Sequence, residues 1–346
     1  MESKTNAIGC VANGYRAAPN LAAGSCGGTL ARFPGKALMR LLFNFFYGLA
    51  GIAFLLLSKV KDALRGYRAP KPFTTAEWAR SANYDITVAD NWLRHLATYA
   101  AATSVVNKNV LELGPGSDLG TGLYLLSKQV SQYVAVDINN LVQNAPRELY
   151  DVLFDLIASR GGANTDSLRQ ELRLAQDGTG HRLRFVCSPN FDLASSVKSG
   201  SIDLVFSQAA FEHFEDFNRF VQDLDFVTRP GAILVAEVDL QAHSRWIRDK
   251  DPLSIYRYSD PFYTLLRCSG SPNRLRPYQY KAALERCGWK NVQIKPLTVL
   301  DEKHFAGVKN SLAKQFGGGH NEMEQLSIML CATKAEPNLK LESNLK

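Results

Sequence analysis

Two carboxylates and a pair of spaced glycines are the residues of this sequence whose types and spacing point most directly to chemistry. In VLELGPGSDLGTG, residues 110–122, an apolar run containing Glu112 leads straight into Gly114 and Gly116. A second apolar run ends at Asp137. Glycines after a buried strand let the backbone approach a ligand closely, and a carboxylate that ends the next strand can accept hydrogen bonds from a ribose diol. The pattern therefore predicts a ligand with a ribose at this loop.

Glu112 distinguishes between the ligands that such a loop can hold. A dinucleotide site offers the N-terminus of a helix to a pyrophosphate. A carboxylate close to the loop would repel that phosphate, whereas it would suit a ligand that carries an amino group and positive charge. The glycine spacing, GxGxxxG, also departs from the GxGxxG of dinucleotide sites.

Two histidines follow predicted strands and are candidates for acid–base chemistry. His213 lies in FEHF and His243 in EVDLQAHSRW. A positioned imidazole contributes about 10²- to 10⁴-fold to a rate when it accepts a proton. We expect His243 to be the base, His213 to be the competing candidate or a packing residue, and Asp239 or Glu212 to orient the imidazole. No metal site is predicted, because the six cysteines are scattered without a CxxC pair and are typical of free thiols.

The elements that must position these residues alternate along the chain. Short apolar, β-rich runs are separated by helical segments, which favours a parallel sheet with helices on both faces. A helical insertion is predicted over residues 145–177, helices are predicted over 73–105, and two last strands are joined by a helix-like segment. The predicted strands are NVLELGPG, YVAVDIN, RLRFVCS, IDLVFSQ, AILVAEVD, NVQIKPLTVL and LSIMLCATK.

Together these motifs resemble the class I S-adenosylmethionine-dependent methyltransferases. Their ExGxG motif matches residues 112–116, and their fourth strand with its following helix matches SGSIDLVFSQAAFEHF, residues 199–214. The turn RPGAILVAEVD also fits, so the resemblance covers about residues 109–239. It implies an α/β fold: a Rossmann-like sheet of about seven strands with a C-terminal reversed β-hairpin.

The resemblance also implies a cofactor and the residues that bind it. S-adenosylmethionine would be held by Glu112, Gly114, Gly116, Asp137, Asn190 and Ser207. The family often places an acid after the third strand to bind adenine. This chain has CSPNFDL there, which leaves Asn190 or Asp192 for that contact.

Charge is concentrated in an N-terminal extension. The net charge is +7, yet residues 1–61 hold seven basic residues and one acid, so the rest of the chain is nearly neutral. A nucleic-acid-binding protein usually carries its basic charge on the folded domain. We therefore expect no nucleic-acid partner, and the extension indicates a membrane surface or targeting.

Residues 41–58 are an apolar, charge-free stretch with basic residues on both sides. As a helix this stretch would be about 27 Å long, close to the roughly 30 Å of a bilayer's hydrocarbon core. It predicts a helix that spans the membrane, lies on it, or packs in the core of the catalytic domain. The larger basic excess on the C-terminal side favours a cytoplasmic catalytic domain at the membrane, with a purely cytoplasmic protein as the alternative. An organellar transit peptide stays open, because residues 3–61 contain no acid.

The predicted organisation has four parts. Residues 1–35 are a disordered extension, 36–71 a hydrophobic membrane-associated helix with basic flanks, 72–335 the catalytic domain, and 336–346 a flexible tail. Within the domain, an insert at about 240–280 is rich in tyrosine and arginine. Aromatic faces and guanidinium groups suit a sugar or an anion, so we interpret this insert as an acceptor-binding lid.

The sequence thus predicts an enzyme that transfers a methyl group to a hydroxyl of a glycan, a lipid-linked molecule or a small molecule. The pattern DPLxxxRYSD…NRLR resembles uncharacterised bacterial methyltransferases associated with surface-glycan biosynthesis. Two alternatives belong to other classes. One is an NAD(P)-dependent oxidoreductase on a similar sheet, and the other is a non-catalytic cofactor-binding protein.

Overall fold

A computed structural model describes residues 34–65, 75–161 and 164–336 of the chain. The predicted extension before residue 34, the second half of the basic flank and the C-terminal tail therefore lie outside the described residues. The strands are β1 Asn109–Leu113, β2 Gln132–Asp137, β3 Leu183–Cys187, β4 Ile202–Gln208, β5 Thr228–Asp239, β6 Trp289–Val299 and β7 Gln325–Lys334. The helices are α1 Pro34–Arg65, α2 Thr75–Tyr99, α3 Gly120–Ser127, α4 Arg147–Ser159, α5 Thr165–Gln176, α6 Leu193–Ser196, α7 Phe217–Val227, α8 Arg245–Arg248, α9 Asp260–Leu266, α10 Pro277–Arg286 and α11 Glu302–Val308.

The seven strands form one sheet in the order β3-β2-β1-β4-β5-β7-β6. Strands β1 to β5 pair in parallel, whereas β7 is antiparallel to both β5 and β6. The predicted Rossmann-like sheet with a reversed C-terminal hairpin is confirmed. The strand order reverses at β1, so the glycine loop after β1 lies at the position where open α/β sheets bind ligands.

Alternate residues of the strands face two separate hydrophobic layers. Val110 of β1 lies in a layer with Trp92 of α2 and with α3, α4 and α5, while Leu111 and Leu113 lie in a layer with α7 and α10. This two-sided burial explains the near-continuous apolar strands in the sequence. Glu112 shares a face with Val110, so the period of two turns its carboxylate inward among buried residues rather than towards solvent.

Helix α2 is longer than the sequence patterns suggested. TTAEWARSA and TVADNWLRHLATYAA fall largely within one helix, Thr75–Tyr99, with no break between them. The indole of Trp92 stacks on Phe206 of β4 with ring centroids 5.1 Å apart. This contact fixes α2 against the centre of the sheet, so that residues one to two turns earlier in the helix reach the glycine loop.

Helix α1 contains the whole apolar stretch and begins at Pro34, two residues before the predicted boundary. Proline is favoured at the first position of a helix because its missing N–H is not needed there. Residues Leu38–Leu64 form a helix that is long and apolar enough to cross a membrane, and few of these residues are buried. Ala50, Ile52, Phe54 and Leu55 of the helix pack, partly buried, against a third hydrophobic cluster of the domain, so these contacts fit a membrane-associated helix and a core helix alike.

Candidate active site

The glycine loop has the backbone geometry that only glycine adopts readily. Gly114 and Gly116 have φ of +73° and +78°, in the left-handed region that is strained for other residues. A Cβ on Gly114 would lie 2.8 Å from the Cβ of Ala210, so the loops after β1 and β4 are in contact at this point. A Cβ on Gly116 would meet no atom within 4 Å. The loop therefore packs on one side and opens on the other, as a ligand cradle requires.

Asp137 ends β2 beside this loop. Its Oδ1 accepts a hydrogen bond from the Asn139 backbone N–H at 2.8 Å, and its Oδ2 accepts one from Gly116 N–H at 3.3 Å. Burial raises the pKa of the carboxyl, although the backbone N–H groups oppose the rise. Each carboxylate oxygen can accept more than one hydrogen bond. The geometry thus leaves acceptor capacity for a diol.

Glu112 lies beneath the loop and is 2% exposed. Thr121 Oγ1 is 3.0 Å from both of its carboxylate oxygens, and the Tyr133 hydroxyl donates to Oε2. Burial raises the pKa of Glu112 to about 7, against the lowering effect of these two hydroxyls. Because the Glu112 carboxylate is buried, it would act on a ligand through its electric field rather than by direct contact. Its charge changes with pH near neutrality.

The N-terminus of α3 is occupied by the protein's own carboxylates. Asp118 Oδ1 accepts a hydrogen bond from Gly120 N–H at 2.9 Å. Asp85 of α2 is buried beside it, and a Cβ on Gly120 would collide with the Asp85 carboxylate. This is the position where a dinucleotide enzyme binds its pyrophosphate. Two buried carboxyl groups occupy the place of a phosphate there, and burial raises the pKa of both, that of Asp85 well above its usual value.

Three other residues that the sequence predicted as cofactor contacts lie outside the glycine loop, one in β4 and two after β3. Ser207 is fully buried and donates from Oγ to the Leu113 carbonyl at 3.1 Å, so it ties β4 to β1 below the loop. Asp192 caps α6 by accepting from Ser195 N–H at 3.1 Å, and these hydrogen bonds lower its pKa. Asn190 is exposed after β3. Of the two candidates for an adenine contact, Asn190 keeps a free side chain among the described contacts.

His213 and His243 come together at the carboxyl ends of β4 and β5. Their ring centroids are 4.9 Å apart, and His243 Nε2 lies 3.8 Å from Glu212 Oε1. Burial lowers the pKa of both imidazoles to about 4, helped by His243 at His213 and by Arg248 at His243. Both rings are therefore neutral at pH 7, and each can accept a proton.

Glu212 is the side chain that faces this imidazole pair. It is 1% exposed, and neither carboxylate oxygen has a hydrogen-bond partner among the described residues. Burial first, and then Asp239, raise its pKa well above the usual value. Glu212, His213 and His243 each offer one ligand atom, all within 4.8 Å of one another. Two imidazoles with one carboxylate could also hold a divalent metal ion, a possibility that cysteine spacing did not address.

Asp239 differs from its predicted role of orienting an imidazole directly. Its Oδ2 is 2.8 Å from Arg248 Nη2, and its Oδ1 accepts from Gln241 N–H at 3.0 Å. The carboxylate thus positions Arg248, whose charge lowers the pKa of His243. Glu212, which the sequence offered as an equal alternative, is the acid next to the imidazoles.

Sequence reasoning missed three polar residues near this edge of the sheet. Gln208 and Glu237 lie at the ends of β4 and β5, and the buried Gln208 Oε1 has no partner among the described residues. Tyr84 of α2 is 39% exposed, with Glu237, Asp85 and Glu112 raising its pKa after burial. Strand register could have revealed Glu237, which is two residues before Asp239. Tyr84 could not be found, because its helix is distant in sequence from the motifs.

Two arginines of the insert, Arg274 and Arg276, are bound by the protein's own carbonyls. Arg276 is fully buried and donates to the carbonyls of Asn321, Glu322 and Gln325, at 3.0, 2.6 and 2.9 Å respectively. Arg274 is likewise buried and donates to Tyr258 O at 2.8 Å. The interpretation of these guanidinium groups as acceptor ligands is wrong, because internal carbonyls satisfy them. The insert is built around its own arginines.

Comparison with protein families assigns this fold to the methyltransferases. A family model described as a methyltransferase domain matches residues 84–294, more than half of the chain. The chain belongs to this family, and S-adenosylmethionine is its cofactor. The acidic, glycine-lined cradle fits a cofactor that carries positive charge.

Solved structures with a similar fold have low sequence identity to this chain. Phosphoethanolamine N-methyltransferase 2 of Haemonchus contortus, in complex with S-adenosyl-L-methionine, is 12% identical over 73% of this chain and 53% of that chain, with a TM-score of 0.42. The chain thus spans about half the length of that enzyme. A putative sarcosine dimethylglycine methyltransferase from Galdieria sulphuraria is 14% identical over 83% of this chain and 98% of that chain, with a TM-score of 0.43. A search of the curated proteins gives no match.

Replacing Glu112 by glutamine should raise the free energy of unfolding and at the same time lower the affinity for the cofactor. The folded-state pKa of about 7 exceeds the ordinary value of 4.5, so folding is favoured most while Glu112 is protonated, and that advantage is lost as pH rises through about 7. At pH 8 the neutral glutamine should therefore raise the free energy of unfolding by about 1–3 kcal/mol. It should also weaken S-adenosylmethionine binding. Thermal melts and calorimetry at pH 8 and pH 5.5 measure both; equal stability of the two proteins at pH 8 would contradict the prediction.

Proposed function

We propose that this protein transfers the methyl group of S-adenosylmethionine to a hydroxyl of an acceptor bound beside His243. Glu112, Gly114, Gly116 and Asp137 form the proposed cofactor site, with Asn190 on the adenine side and Ser207 as a support beneath it. The observation that carries the proposal is the juxtaposition of an open, acid-lined glycine loop and a neutral imidazole pair at one edge of the sheet.

The proposed chemistry is alignment followed by removal of a proton. The cofactor supplies an electrophilic methyl group when it is bound. The protein holds the acceptor oxygen in line, which contributes about 7–11 kcal/mol in well-oriented reactions. His243 accepts the hydroxyl proton, His213 packs against its ring, and Glu212 Oε1 lies 3.8 Å from His243 Nε2. Asp239 acts indirectly, because it binds Arg248, whose charge lowers the pKa of His243.

The acceptor class in this proposal is a glycan, a lipid-linked molecule or a small molecule. The catalytic domain would work on the cytoplasmic side of a membrane, with α1 as the attachment. Exposed apolar side chains on α1 support this, as do the basic residues Arg40, Lys59 and Lys61. The oxidoreductase alternative is disfavoured by the acids at the N-terminus of α3. The non-catalytic alternative predicts cofactor binding without turnover on any cell fraction.

Asp137→Ala tests the proposed cofactor site. Hydrogen bonds to a charged group are worth about 1.5–3 kcal/mol, so the dissociation constant for S-adenosylmethionine should rise roughly 10- to 100-fold. Asp203→Ala is the matched control, because Asp203 is also a strand carboxylate but pairs with Arg229 near the amino-terminal end of β4. Calorimetry on both folded variants decides; an unchanged affinity in Asp137→Ala would contradict the proposed site.

A further inference from the structure

Helix α1 is attached to the insert and to α11 by one stripe of residues. Asn44 Nδ2 donates to the Gly307 carbonyl at 2.9 Å, and the Tyr258 hydroxyl donates to the Gly48 carbonyl at 2.7 Å. Gly51 is buried, and a Cβ there would collide with the Tyr258 hydroxyl. Lys59 donates to the Leu265 carbonyl. From Asn44 to Lys59 the stripe is about 22 Å long, so four turns of the helix lie along the catalytic domain.

The other faces of α1 are apolar and uncovered. Leu41, Phe45, Phe46 and Leu57 are each 63–67% exposed, and Leu64 is 77% exposed. A soluble monomer rarely exposes such a large contiguous apolar surface without a partner. The surface continues onto the insert, where the exposed apolar side chains are Trp246, Phe262 and Leu265.

We propose that α1 is an in-plane membrane anchor, with its exposed faces in the interfacial layer of an anionic bilayer while its stripe stays docked on the insert. A spanning helix would cross about 30 Å of hydrocarbon and carry the insert with it. That insert contains the buried Arg257–Asp251 ion pair, and Arg257 also donates to Asn44 Oδ1 at 3.2 Å. Apolar faces flanked by Arg40, Lys59 and Lys61 are typical of helices that lie in the interface.

The anchor is connected to the candidate active site through the same insert. Asn273 Nδ2 donates to the carbonyls of Phe211 and Phe214 at 2.9 and 3.0 Å, and so holds the turn that carries His213. The imidazole pair is therefore attached to the segment that would rest on the membrane. Building on the proposed function, we infer that the acceptor is a molecule anchored in that membrane, with its hydroxyl at the headgroup level.

Flotation of the full-length protein with vesicles of phosphatidylcholine and phosphatidylglycerol tests the anchor. The double variant Phe45→Glu/Phe46→Glu should float at least about tenfold less than the unaltered protein, because charged side chains are costly in the apolar layer. Phe226→Glu, at a 51% exposed residue of α7, is the matched control and should float normally. Equal flotation of the double variant would overturn the proposal. A stable dimer in vesicle-free buffer that the double variant splits would overturn it too, by assigning the face to a second copy.

Protease accessibility separates an in-plane helix from a span. A cleavage tag placed before residue 34 should be cut from outside sealed vesicles to which the protein has been added, along with the exposed catalytic domain. Protection of the tag would overturn the in-plane arrangement. Gly51→Leu should lower the melting temperature by displacing Tyr258, whereas Gly48→Leu, where a Cβ meets no atom within 4 Å, should not. Equal melting temperatures would show that the stripe is not docked.

Transfer of isotope-labelled methyl groups tests the acceptor class. The full-length protein is incubated with S-adenosylmethionine and either total membrane lipid in vesicles or the soluble cell extract. We expect label in the organic-solvent extract of the vesicles. Label confined to water-soluble products would overturn a membrane-anchored acceptor and leave the proposed methyl transfer intact. Absence of label everywhere, with no binding of S-adenosylmethionine by calorimetry, would instead overturn the proposed function.

Discussion

Replacing His243 by alanine should lower turnover by about 10²- to 10⁴-fold while the affinity for S-adenosylmethionine stays nearly unchanged. His243 is the imidazole whose Nε2 faces the buried Glu212, 3.8 Å away, and a neutral ring there can take the proton of an acceptor hydroxyl. The cofactor loop lies on β1, so truncating His243 removes nothing from the proposed cofactor contacts. Single-turnover kinetics and calorimetry on the same preparation measure the two quantities separately.

His213→Ala is the control for the competing assignment. Its ring packs against His243, whereas the ion-pair contact with the Glu212 carboxylate is made by His243. We expect a smaller loss of turnover, from the altered position of His243. If His213→Ala abolishes turnover and His243→Ala does not, the two roles must be exchanged. If a chelator abolishes the turnover of the unaltered protein and a divalent metal restores it, both rings are ligands rather than bases.

Gly116→Val should raise the dissociation constant for S-adenosylmethionine more than about 100-fold, or about 2.7 kcal/mol. The Cβ would project into the open side of the loop, where no protein atom lies within 4 Å, so the side chain would occupy space proposed for the cofactor. The left-handed φ of +78° also strains any β-branched residue.

Gly178→Val is the control that distinguishes backbone strain from steric block of the proposed cofactor site. Gly178 has a φ of +72°, also meets no atom within 4 Å of a built Cβ, and lies after α5 rather than in the glycine loop. Both variants should lose similar stability in thermal melts, yet only Gly116→Val should lose cofactor affinity. Comparable affinity in the two variants would place the cofactor elsewhere.

The fold was predictable because each strand is a short apolar, β-rich run that can be recognised in the sequence. All seven predicted runs are strands. The central parallel strands are apolar because both of their faces are buried, whereas the antiparallel edge strand β6 is largely exposed. The glycine and acid motif placed Gly114 and Gly116 after β1 and Asp137 at the end of β2, where the structure has them, and their binding of a cofactor stays a prediction. The length of α2 was not predictable to the same degree, because its packing on the sheet through Trp92 decides it.

The polar partners of the site could not be derived from the sequence. Asp239 and Glu212 were equivalent candidates until the structure showed Arg248 on the first and the imidazole pair near the second. The insert's arginines were misread for a related reason. An arginine-rich segment has the same composition whether its guanidinium groups bind carbonyls inside the insert, as Arg276 does, or face a ligand. Tertiary contacts alone distinguish these cases.

The docking of α1 is a second feature that composition left open. An eighteen-residue apolar stretch fits a span, an interfacial helix or a core helix. The choice depends on contacts such as Asn44 with Gly307 and Tyr258 with Gly48, more than two hundred residues apart in sequence. The predicted basic flank lies only partly within the described residues, so its contribution is tested through the vesicle experiments.

Calorimetric titration of the full chain with S-adenosylmethionine, S-adenosylhomocysteine and NAD, each at pH 8, tests the central claim most directly. At that pH Glu112 is ionised, because its pKa is about 7, and the acids Asp85 and Asp118 line the N-terminus of α3. We expect one binding site per chain for S-adenosylmethionine and for its demethylated product, and no measurable heat with NAD. Tight binding of NAD, with none of S-adenosylmethionine, would contradict it.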